Sequence, residues 1–220
     1  MSDGVDWSTL PGAYGPATEI PTLLRQAVSA VPDERRKAIA ELWGNLCHQG
    51  TVYEASVVAV PFLLDAAGSP HLSPAEREQL LALVVHIGLG EDTTWQGYTS
   101  WSVVQDSARA GAAALPRLTT WALEGCPEAR PWALALAAHH PNAWASLGVD
   151  AAQLMPGAST AKIHFVRHAV SGTRPSEELV LEILAAEPDL RDYDEEVISE
   201  ASEDRRARMM VLELVATGRL

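Results

Sequence analysis

Apolar residues recur at intervals of three and four through most of the chain, which is the spacing of one buried face on an α-helix. Ile20, Leu23, Leu24, Ala27, Val28 and Val31 form the first such stripe, and Pro32 is expected to end it. Ala38, Ile39, Leu42, Trp43, Leu46 and Cys47 form the second, predicting a helix from an Asp33 cap to about His48, with Gly50 as its stop and Thr51 capping the next. Residues 52–67 carry Val52, Ala55, Ala59, Leu63 and Ala66 on one face and are apolar over much of the rest, so a helix packed on several sides is expected, interrupted by Pro61. Ser73-Pro74-Ala75-Glu76 is a capping box with proline at the first helical position, opening a helix to about Ile87.

Further helices are predicted at about 103–123 (with Pro116 inside), 127–139, 159–171, 176–186, 192–201 and 203–217. Residues 142–157 read as short turns and 1–17 as an irregular lead-in anchored by Trp7 and Leu10. No segment alternates with period two, so the fold class is all-α and 1–220 reads as a single domain.

One pattern repeats. Ile20-Pro21-Thr22-Leu23-Leu24, Val60-Pro61-Phe62-Leu63-Leu64 and Leu115-Pro116-Arg117-Leu118-Thr119 align without gaps, with prolines 40 and 55 residues apart. The first spacing falls in the ~40–47-residue range of HEAT-type units, and the second would too if the aromatic stretch 91–102 were an insertion. A helix pair cannot bury its apolar face alone, so such units stack into a right-handed α-solenoid of HEAT/ARM-like antiparallel helix pairs.

Asn45-Leu46-Cys47-His48-Gln49-Gly50-Thr51-Val52-Tyr53-Glu54-Ala55-Ser56, followed by Ala59-Val60-Pro61-Phe62-Leu63, resembles a signature of bacterial HEAT-repeat-like proteins. The resemblance covers about residues 36–68. It implies the solenoid fold and, since some members of that group are associated with polymorphic toxin systems, a role as an immunity protein.

Composition narrows the function classes. Hydrophobic residues make up 47% and charged residues 20%, as in a folded domain, and the net charge is −13. Sixteen Lys and Arg face 29 acids, which argues against a nucleic-acid backbone partner and for a basic protein. A DNA-glycosylase-type enzyme on a HEAT-like scaffold would need a basic groove and is disfavoured on that ground; a multi-client adaptor is the other alternative. Neither a signal sequence nor a membrane-spanning run is legible, so a cytoplasmic protein without a membrane partner is expected. Cys47 and Cys126 both read as buried thiols on helical stripes.

Candidate chemistry is sparse, and no catalytic residue is assigned. Asn45, His48, Gln49, Thr51, Tyr53 and Glu54 form a dense polar turn. It reads as side chains satisfying helix ends, or as a pocket with His48 as acid/base oriented by Glu54. His164 and His168 are four apart but lack a third ligand, so neither metal nor cofactor is expected. Two features point to recognition. Glu91, Asp92, Trp95, Tyr98 and Trp101 place large rings and acids on a loop, where they either bind a partner or fold back onto the core. Between Arg174 and Asp204 twelve acids, among them Asp192, Asp194, Glu195 and Glu196, face only Arg174 and Arg191. That run is either a solvated face or a docking surface.

Overall fold

The computed structural model describes residues 4–89, 99–193 and 203–220, with the backbone alone for 192, 193, 203 and 204. Its helices are α1 (Ile20–Gln26), α2 (Pro32–Leu46), α3 (Glu54–Ala67), α4 (Pro74–Gly88), α5 (Trp101–Glu124), α6 (Ala129–His139), α7 (Pro141–Ala145), α8 (Thr160–Val170), α9 (Glu177–Ala186), α10 (Pro188–Tyr193) and α11 (Glu203–Ala216). The chain is predominantly helical, as the periodicity predicts. Among the described residues the only extended pairings are two minimal ribbons: β1 (Pro11–Gly12) with β2 (Gly15–Pro16), and β3 (Cys47–His48) with β4 (Thr51–Val52).

Contacts divide the chain into two compact units, residues 1–114 and 115–220, with the division falling inside α5. In the first unit, α1 packs on α2 and α3 on α4. Ile39, Leu42, Leu46, Ala55, Ala59, Leu63, Leu80 and Leu83 are all fully buried there. Two of its helices approach at backbone distance: a Cβ at Gly111 of α5 would lie 2.4 Å from the carbonyl oxygen of Gly88 in α4. In the second unit, α6 and α8 pack on each other and on α11, around Leu136, Phe165, Val166, Met210 and Val211.

Several boundaries differ from those predicted. Helix α1 stops at Gln26, and Pro32 starts α2 at its first position, with Val31 as cap; Asp33 belongs to the first turn, where its charge suits the helix dipole. Cys126 lies in the turn before α6, half-buried, rather than on a helical stripe. In the lead-in, Asp6 caps a 3-10 turn over Trp7–Thr9, and Trp7 is buried against Phe62 with ring centroids 5.8 Å apart. Of the 91–102 stretch, Trp101 and Ser102 belong to α5, and residues 90–98 lie outside the described residues.

The buried ion pair of the first unit joins two helix starts. Arg35 of α2 and Glu76 of α4 are both nearly inaccessible. The Arg35 guanidinium donates to both Glu76 carboxylate oxygens, at 3.2 to 3.3 Å, and to the Ser29 carbonyl at 2.8 Å. Glu76 also accepts from the Ser73 backbone N–H at 2.8 Å and hydroxyl at 2.9 Å, completing the capping box read from the sequence. Burial alone would raise the Glu76 pKa, but the Ser73 hydrogen bonds and Arg35 outweigh it and hold the carboxyl below its ordinary value.

Candidate functional site: the turn between α2 and α3

Helix α2 ends at Leu46, two residues before the predicted end, because Cys47 and His48 pair with Val52 and Thr51 as a two-residue hairpin. The hairpin needs both central residues at positive φ, and Gln49 (φ 51°) and Gly50 (φ 82°) supply it. Gly50 is therefore a hairpin residue and not a helix stop. Thr51 is a strand residue; the cap position of α3 is Tyr53.

Ser56 holds the turn together. Its hydroxyl, fully buried, donates to the Leu46 carbonyl at 2.5 Å and accepts from the Tyr53 N–H at 2.8 Å. One side chain thus joins an orphan carbonyl at the end of α2 to the N-terminus of α3. Sequence reasoning missed it, since a serine inside an apolar helix has no spacing signal of its own. Its place at the third position after Tyr53 was the available clue.

The other polar side chains divide. Asn45 donates to the Glu41 carbonyl of its own helix at 2.8 Å. Thr51 is almost completely buried with its hydroxyl unpartnered among the described residues. Gln49 and Glu54 are exposed, Glu54 in the first turn of α3 and without a hydrogen bond or ion pair among the described residues. His48, half-buried, takes a different partner: its Nδ1 lies 3.1 Å from the Tyr14 hydroxyl, with the rings edge-on at 5.4 Å. Tyr14 sits on the β1–β2 turn, which is fastened to the end of α2 by an Ala13 N–H to Asn45 carbonyl bond of 3.2 Å. The Thr99 hydroxyl donates to the Val52 carbonyl at 2.8 Å. Trp101 follows two residues later at the start of α5.

Two large rings are exposed here: Tyr14, which meets His48 of the turn, at 72%, and Trp101, two residues after Thr99, at 70% accessibility. No family model, curated protein or solved structure matches the chain.

The remaining candidates fall elsewhere. Glu91, Asp92, Trp95, Tyr98, Asp194, Glu195 and Glu196 lie outside the described residues, and Asp192 is described by its backbone in α10. Cys47 is buried, which pushes its thiol up to about 11. His164 is exposed, whereas His168 meets the Thr173 hydroxyl at 2.9 Å; no metal-holding group of three His, Cys, Asp or Glu occurs among the described residues. No helix among them is long and apolar enough to cross a membrane.

Proposed function

We propose that the chain is a non-enzymatic protein-binding module whose recognition surface is centred on the α2–α3 turn. The observation that carries this is the exposure of Tyr14, which meets His48 of the turn, and of Trp101, two residues after Thr99, whose hydroxyl bonds the Val52 carbonyl of the same turn. Rigidly held aromatic side chains bind at low entropic cost and dominate interface energetics. The chain leading into Trp101 supplies Glu91, Asp92, Trp95 and Tyr98, which the proposal includes for the same chemistry.

The finer architecture belongs to the same proposal: a right-handed α-solenoid of HEAT/ARM-like antiparallel helix pairs. Burial supports it. In all three proline segments the residue before the proline and the second and third after it are buried, while the proline itself is at least partly exposed. A common burial pattern is what a structural repeat requires.

The partner is a basic protein, in keeping with the net charge of −13. The sharpest form of this reading is an immunity protein that neutralises a basic bacterial toxin. Affinity purification from the native host with mass spectrometry tests it, followed by calorimetry with Tyr14→Ala and Trp101→Ala. A single stoichiometric basic partner, with binding weakened by about 2 kcal/mol per ring and the melting temperature unchanged, is expected. Co-expression should then protect cells from that partner. Many weak clients would replace the immunity reading with an adaptor, and unchanged affinity in both variants would remove the surface.

A further inference from the structure

No further inference is drawn: the strongest candidate, the exposed face of α9 where Leu181 stands among Glu177, Glu178 and Glu182, is an acidic helix surface with a single apolar side chain, and nothing in the structure shows what covers it.

Discussion

Ser56 joins two helix ends with one hydroxyl, and its worth follows from what its removal leaves behind. In Ser56→Ala the Leu46 carbonyl loses its donor in a buried site and the Tyr53 N–H loses its acceptor. An unsatisfied buried polar group costs about 1–3 kcal/mol, so urea denaturation should show a loss of about 2–4 kcal/mol. A loss below about 0.5 kcal/mol would mean that water or a neighbour replaces the hydroxyl. The two cysteines give a second residue-scale test. Cys47 is buried with its thiol held at about 11, so it is protonated at neutral pH, whereas half-buried Cys126 lies at a turn with its Sγ 3.3 Å from a Glu128 carboxylate oxygen. A thiol reagent at neutral pH should label Cys126 well before Cys47, the latter only after unfolding. Labelling of Cys47 at the rate of Cys126 in native protein would contradict the burial.

Among the elements, most helices were legible because a stripe of apolar residues is a strong signal and tertiary packing uses it directly. Ala38, Ile39, Leu42 and Leu46 were read as a face and are all buried. The turn differs from its sequence pattern for a local reason: Gln49 adopts a left-handed conformation that only its neighbour Gly50 advertises, so a hairpin carries the signals of a helix stop and a cap. Tyr14 and Ser56 were missed because neither belongs to a periodic pattern; their partners are 34 and 10 residues away. Helices α4 and α5 approach at Gly88 and Gly111. A methyl group there meets backbone, which cannot move aside as a flexible side chain would, so Gly111→Ala should cost about 1–3 kcal/mol despite alanine's better helix propensity. A gain in melting temperature would show that the helices separate freely. The Arg35–Glu76 pair makes the pH prediction at this scale. Because folding lowers the Glu76 pKa, its contribution is complete above the ordinary carboxylate value and is lost as pH falls through the folded value. Arg35→Ala strands a buried carboxylate and should cost about 3–5 kcal/mol at neutral pH, with the deficit shrinking on acidification. A deficit that is constant with pH would exclude the ion pair as its source.

For the whole molecule, the acid-rich third is less uniformly available than its sequence implies. Lys162 of α8 meets Glu187 at 2.5 Å, the same carboxylate lies 3.9 Å from Arg219, Arg219 also holds Asp189, and Arg206 lies 3.9 Å from Glu177. Lys162 further donates to the Arg219 carbonyl at 2.6 Å, so part of the acid run fastens the segment after α11 to α8 and to the α9–α10 turn. Composition counts charges but cannot tell an internally paired carboxylate from a free one. Asp194, Glu195 and Glu196 are a consecutive run of acids in this third, and the proposed basic partner makes them a test of steering. Reversing all three to Lys changes the net charge by six. If the partner is basic, association should slow by about tenfold or more at low ionic strength while dissociation is nearly unchanged, and added salt should shrink the difference between wild type and variant. Stopped-flow association measured across a salt series checks this. Equal rates at low salt would separate the acid run from recognition and leave Tyr14 and Trp101 as the surface to test.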